Sequence, residues 1–292
     1  AWPSGICTDL GNVSQSIPAI HPYVGVDSYQ FANHQPEFAG YYVGNTADLA
    51  IVRTATALAW TAIDASAAAV ARIVAKGAPV YGINTGFGNV ASVRIADDDL
   101  ATLQRNIVLS HAAGTGAPSP TKIVRLMMAL KLASLAQGAS GVKPQTVALL
   151  DAMLRMGLTP VVPSQGSVGA SGDLTPLSYV AAVLAGQRSL RVEGQVRDTG
   201  EVYAERGISP LTLRPKEGLA VMNGTAVMTG LACLAFDRAN YLVSLGTRIT
   251  ALASFALGGN PAHFDPDLFA VKPHPGPVRA ADCGLHALHE GR

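Results

Sequence analysis

LAVMNGTAVMTGLACLAF at residues 219–236 and LVSLGTRITALASFAL at 242–257 are the strongest candidates for membrane spans in this chain, and their reading decides the fold. A span needs about 18 to 20 continuous apolar residues. Here the runs are interrupted by Asn223, Thr225, Thr229, Thr247 and Arg248. Helices that are apolar on most faces but carry scattered polar groups belong inside a bundle. Composition supports that choice: apolar residues make up 49% of the 292 residues and charged residues 14%, against roughly 25% charged in an average soluble domain. Little of this surface is therefore expected to meet water, and burial in an oligomer explains that better than a bilayer does.

Working outward, an Ala-rich helix is expected from Asn45, with Thr46 and Asp48 as further starts and Gly77 as the stop. Further helices are expected at about 97–113, 120–137 and 144–156, with Pro144 as a first helical residue and Gly157 as a stop. Loops rich in glycine occupy 79–92 and 158–172, and a helix opens near Asp173. A short hairpin is expected over 190–198 around Glu193-Gly194. Apolar helices follow at 218–237 and 238–257, and the tail from Gly258 reads as loop. The class is mainly α, a large helical bundle with long buried central helices. Residues 1–44, rich in Pro, Gly, Tyr and His, read as an irregular arm; 45–292 read as one continuous domain.

Several function classes find no support. The net charge is +1, with no basic run or aromatic–basic interleaving for nucleic acid. Cys7, Cys233 and Cys283 lie far apart and form no disulfide framework, which suits a cytoplasmic location. Residues 1–10 lack the pattern of a secretory signal. Cys283, His286, His289 and Glu290 could share a helical face, but nothing elsewhere in the chain completes a metal site, and none is assigned.

The stretch richest in chemistry is GSVGASGDLTPLSY at 166–179. A glycine nitrogen can attack the carbonyl two residues back only when the backbone is squeezed into a tight turn, and glycine at 172 obstructs that turn least. Ser171, by losing water, would leave a methylidene conjugated with the new five-membered ring. Such an electrophile is one no standard side chain provides. A helix opening just afterwards would present its positive end to the ring. The simpler reading is a Gly/Ser loop capped by Asp173 and Thr175, which explains each residue but not their joint order.

This run resembles the signature of the aromatic amino-acid ammonia-lyases and aminomutases, whose Ala-Ser-Gly triad forms 4-methylidene-imidazol-5-one. By that resemblance Ala170, Ser171 and Gly172 form the cofactor, Asp173 supports it, and no metal or nucleotide is needed. YGINTGFG at 81–88 resembles the family's tyrosine loop, which implies that Tyr81 is the base removing the β-proton. A phenol of ordinary pKa near 10 needs a positive dipole or cation beside it for that work. LAVMNGT at 219–225 resembles the asparagine loop, with Asn223 bonding the substrate carboxylate or the ring. The resemblance runs from about residue 59 to the end. It implies elimination of ammonia to a trans-α,β-unsaturated acid, in a homotetramer whose active sites are shared between subunits. It also implies a longer subunit, so this chain is expected to stop before the C-terminal half and its catalytic residues. A phenylalanine or tyrosine lyase, an aminomutase and a catalytically incomplete fragment are the alternatives.

Ser110-His111 bears on the substrate. That pair resembles histidine ammonia-lyase, where phenylalanine enzymes carry Phe-Leu and tyrosine enzymes His-Leu; a substrate-binding His111 could bond an imidazole or phenol. A histidine bonded to the last carbonyls of its own helix is the plainer reading. Ala226, where histidine enzymes often carry glutamine, and Leu177-Ser178-Tyr179-Val180 lean toward the other branches. Histidine converted to urocanate is the expectation.

Overall fold

The computed structural model describes residues 45–169, 172–272 and 274–290. The expected arm over 1–44, and Ala170 and Ser171, lie outside the described residues. The chain is a bundle of helices with small antiparallel sheets at its edge. Helix α1 (Asn45–Lys76) starts and stops where the sequence indicated, with Gly77 left-handed at φ +69°. A 3-10 turn at Asp97–Asp99 leads into α2 (Leu100–His111). Strand β1 (Thr115–Pro118), α3 (Thr121–Ala136) and α4 (Pro144–Arg155) follow, the last with proline in its first turn.

The stretch 158–172 is more ordered than its composition suggested. It holds β2 (Thr159–Pro160) and β3 (Pro163–Gln165), and β3 pairs antiparallel with β1, Thr115 opposite Gln165. Helix α5 (Leu174–Leu184) then runs through the centre of the core, with Leu177 and all residues from Val180 to Leu184 fully buried. The hairpin is β4 (Ser189–Val192) and β5 (Gln195–Asp198) around Glu193 at φ +52° and Gly194 at φ +82°, the paired left-handed geometry of a two-residue turn. Asp198 then caps α6 (Thr199–Arg206) by accepting from Glu201 N–H.

Two expectations need correction. The apolar run was divided between residues 237 and 238; the break instead falls at Asn223–Thr225, between α7 (Glu217–Met222) and α8 (Ala226–Ala256). Asp237 and Arg238 project to solvent and leave α8 uninterrupted, whereas Asn223-Gly224 gives up helical hydrogen bonds for partners on other elements. The tail is not simply loop either. It forms α9 (Pro266–Ala270) and α10 (Pro275–Glu290), which the prolines and glycines around them masked: Pro266 and Pro275 sit in first turns, where a missing N–H is tolerated.

Within this single chain the apolar face of α8 stays open. Phe236 is 73% exposed and Leu252 69%, and only a few residues of the helix, Ala226, Val227, Gly230 and Ala251, are buried. By length and composition, Ala47–Lys76 and Glu217–Ala256 would each suffice to cross a membrane. The second contains the non-helical Asn223–Thr225 break, where the carbonyls of Asn223 and Gly224 take Lys131 Nζ and Asp173 N–H as donors.

Candidate active site

The break at 223–225 is where the loops singled out in the sequence converge. Gly172 has φ +86°, and a Cβ placed on it would stand 2.7 Å from Gly224 O, 3.0 Å from Gly224 N and 3.2 Å from Asn223 Oδ1. No side chain fits there, and a left-handed backbone excludes one independently. Asp173 N–H donates to Gly224 O at 2.7 Å, so the segment entering α5 is tied directly to the break.

The carboxylate of Asp173 completes the join. It is fully buried; Oδ1 accepts from Ser167 Oγ at 2.8 Å, and Oδ2 accepts from Val227 and Met228 N–H at 3.0 and 2.9 Å. Thr225, the residue preceding α8, makes no side-chain cap of its own. Asp173 therefore caps α8 from another helix, which meets both the need of its free N–H groups and its positive end. The sequence suggested Asp173 as a cap for the helix it opens; the structure gives it to the longer one.

Behind the break lies a residue the sequence reading passed over. Lys131, on α3 and 3% exposed, donates from Nζ to Asn223 O at 2.8 Å. Among the described residues no carboxylate pairs with it, and burial pushes its pKa down from 10.5 to about 8. The signal was available: Val124, Met127, Met128, Lys131 and Leu135 form the buried stripe of α3, at helical spacing, with a lysine in the middle. Its linkage to stability has a definite sign. Below about pH 8 the amine is charged in both folded and unfolded chains, and its burial weakens the fold in full. Between pH 8 and 10.5 the folded chain loses the proton first and the penalty fades. Wild type should thus gain up to about 3 kcal/mol relative to Lys131→Met over that window. Urea unfolding of both proteins at either end checks this; a difference independent of pH contradicts it.

The other two segments reach the same place through α7. On the tyrosine loop, Gly82 at φ +77° is packed so tightly that a Cβ would lie 2.9 Å from Leu219 Cδ2. Buried Asn84 holds this loop, accepting from Val80 N–H at 2.7 Å and donating to Ala78 O at 2.9 Å. Tyr81 itself is 59% exposed, its ring edge-on to Phe87 at 5.8 Å. On α2, buried Gln104 accepts from Gly218 N–H at 2.9 Å, and its Nε2 has no hydrogen-bond partner among the described residues. The end of α2 runs into β1, whose pairing with β3 sets it beside the segment leading to Gly172. Tyr179 of α5 secures that corner, donating to Ala112 O and accepting from Gly114 N–H, each at 3.1 Å.

His111 is half-buried at the end of α2, and its Nδ1 lies 2.8 Å from Ile107 O. A carbonyl can only accept, so Nδ1 carries the proton and neutral His111 keeps its lone pair on Nε2. The bond to its own helix, the plainer sequence reading, is thus present, with the second ring nitrogen left over for another partner.

Gly172 therefore lies against Asn223 and Gly224, Asp173 bonds Gly224 and the start of α8, and Tyr81 and His111 lie on segments packed against, or paired next to, the elements that carry them. Among the described residues no cluster of His, Cys, Asp or Glu is arranged to hold a metal ion. The Gly172 cradle fits an internally formed ring: it admits a glycine alone, in a left-handed turn, with Gly224 N and the Asn223 side chain directly alongside.

The family profile for aromatic amino acid lyases matches residues 45–291. Among solved structures, phenylalanine aminomutase of Pantoea agglomerans is 29% identical with a TM-score of 0.74, covering 79% of this chain and 44% of that one. Tyrosine aminomutase from Streptomyces globisporus is 36% identical, TM-score 0.73, over 78% of this chain and 43% of its own. Histidine ammonia-lyase from Trypanosoma cruzi is 35% identical, TM-score 0.70, over 77% and 43%. This chain thus spans less than half the length of the structures it resembles.

Proposed function

Because the chain belongs to the aromatic amino acid lyase family, we propose that the full-length protein eliminates ammonia from an aromatic L-α-amino acid, L-histidine first. The observation that carries this reading is the Gly172 cradle, left-handed and closed to any side chain by Gly224 and Asn223. Ala170, Ser171 and Gly172 would form the methylidene-imidazolone, which supplies an electron-poor carbon for the substrate to engage. Gly172 permits the turn, and Asp173 fixes the segment against the start of α8. Asn223 offers its side-chain amide beside Gly172. The opening of α5 directly after this segment lays a positive helix end against it.

Tyr81 is the proposed base for the β-proton. Tyr81→Phe should lower kcat by about 10²–10⁴-fold, the range for a positioned general base. Its melting temperature should not change, since the ring is exposed and its contact with Phe87 survives the loss of the hydroxyl. Stopped assays beside a thermal scan measure both quantities. Undiminished turnover would remove Tyr81 from the mechanism.

His111 supports a substrate whose ring carries a donor. With Nδ1–H given to Ile107 O, Nε2 can accept from an imidazole N–H or a phenol O–H, and it offers phenylalanine nothing comparable. Histidine is favoured by the Ser110-His111 pair. Tyrosine, with lyase or aminomutase outcome, is the second reading, favoured by Ala226 and by the 36% identity to a tyrosine aminomutase. Incubation with histidine, phenylalanine and tyrosine, with assay for unsaturated and β-amino acids, separates these: urocanate from histidine is expected. Coumarate or β-tyrosine without urocanate overturns the substrate, and no product from any of the three overturns the reading.

The open faces of α1 and α8, with Ile51, Val52, Phe236 and Leu252 each more than half exposed, support assembly into a homotetramer with active sites shared between subunits. Light scattering that finds a monomer at micromolar concentration contradicts that assembly.

A further inference from the structure

The geometry points to Lys131 as a positioning residue of this site: its ammonium holds the Asn223–Gly224 peptide by the carbonyl and strengthens the Gly224 N–H as a donor to negative charge developing at the Gly172 segment. This rests on the function proposed above.

A peptide group is one dipole shared by a carbonyl and an N–H on its opposite sides, and no peptide bond among the described residues is cis. Lys131 Nζ takes the carbonyl of Asn223 at 2.8 Å. The N–H of the same peptide, that of Gly224, therefore points away from Lys131. Its nitrogen lies 3.0 Å from the position a Cβ of Gly172 would take. Lys131 thus holds the carbonyl end of this peptide, and the Gly172 segment borders its nitrogen. The approach of the lysine is close as well: a Cβ on Gly224 would stand 3.2 Å from Nζ. Among the described residues no acceptor takes the Gly224 N–H.

Fold maintenance does not account for a lysine here. The Asn223 carbonyl needs one donor, which a neutral side chain or a buried water would provide without bringing a full charge into the core. A buried cation with no carboxylate beside it weakens the fold. Its stripe on α3 is otherwise Val124, Met127, Met128 and Leu135, so an apolar residue would pack in its place. What a cation adds is polarisation. Charge on the carbonyl side draws electrons along the peptide and makes the opposite N–H more acidic. A more acidic N–H makes a stronger hydrogen bond to negative charge that develops beside Gly172. Lys131 touches no reacting atom in this arrangement; it acts through the backbone of the asparagine loop.

The test compares full-length wild type with Lys131→Met and Lys131→Arg, each checked for folding by circular dichroism. Three quantities are read: the two-water mass loss of ring formation, the rate at which a small thiol bleaches the near-ultraviolet band of the ring, and kcat against KM. In Lys131→Met, thiol bleaching and kcat should both fall about 10–100-fold, with KM within about threefold, while Lys131→Arg stays near wild type. A folded Lys131→Met protein that fails to lose the two waters also supports the role, because attack of the Gly172 nitrogen on the Ala170 carbonyl builds negative charge on that oxygen. Wild-type bleaching and kcat in folded Lys131→Met overturn it. If Lys131→Met does not fold, Lys131→Gln takes its place, keeping a donor for Asn223 without the charge. Absence of the two-water loss from wild type itself would instead remove the functional reading on which the inference stands.

Discussion

Ser171→Ala is expected to reduce turnover of the full-length protein by at least about 10³-fold, equivalent to roughly 4 kcal/mol of barrier, with little change in stability. The β-proton of an amino acid is weakly acidic and its amine a poor leaving group, so the reaction needs an electrophile that ordinary side chains do not provide. In the proposed chemistry the methylidene carbon comes from Ser171 alone, through loss of its hydroxyl with the α-hydrogen. Alanine has no hydroxyl to lose. The contacts described at the site belong to Gly172, Asp173, Asn223 and Gly224, all of which keep their own side chains. Activity should therefore fall while the melting temperature stays close to wild type. Steady-state assays and a thermal scan on the same preparations check both halves. A Ser171→Ala enzyme turning over within tenfold of wild type would leave the prosthetic group without a role.

Asp173→Ala should instead be a stability mutation, with a loss of about 2–4 kcal/mol. The change strands the buried N–H of Val227 and takes the partner from the part-buried Met228 N–H and Ser167 hydroxyl. Each buried donor left without a partner costs about 1–3 kcal/mol, and a lost N-cap alone costs about 0.5–2 kcal/mol. Asp173→Asn keeps an oxygen for one side of this set but sets an NH2 against donors on the other, so it should lie between alanine and wild type. Activity should fall with both, because the start of α8 and the asparagine loop are held to Gly172 through this residue. Denaturant unfolding gives the comparison; a loss under about 1 kcal/mol for alanine would mean that α8 has another cap.

The fold was readable where local chemistry and tertiary context agree. Gly77, Pro144 and Glu193-Gly194 end, start and turn their elements for reasons internal to a few residues, and the structure follows them closely. The break in the apolar run was misplaced because its cause is not local. Asn223-Gly224 leaves the helix because Lys131, 92 residues earlier, and Asp173 supply partners for its backbone. Only packing shows them together. Asp173 was legible as a cap but not as the cap of a helix 54 residues ahead. Lys131 was hidden for a different reason, since one lysine in an apolar helix reads as an exposed residue until its place on the buried stripe is counted. The Gly/Ser loop and its neighbours were recognisable as a set by their order, while the shape of the Gly172 cradle required coordinates.

The central claim is that Ala170, Ser171 and Gly172 become a single electrophilic ring. Intact and peptide mass of the full-length protein tests it without any assumption about substrate. The peptide containing residues 170–172 should be lighter by two waters in wild type and should lack that deficit in Ser171→Ala. A wild-type peptide of unmodified mass, from protein that is fully active as an ammonia-lyase, would contradict the account.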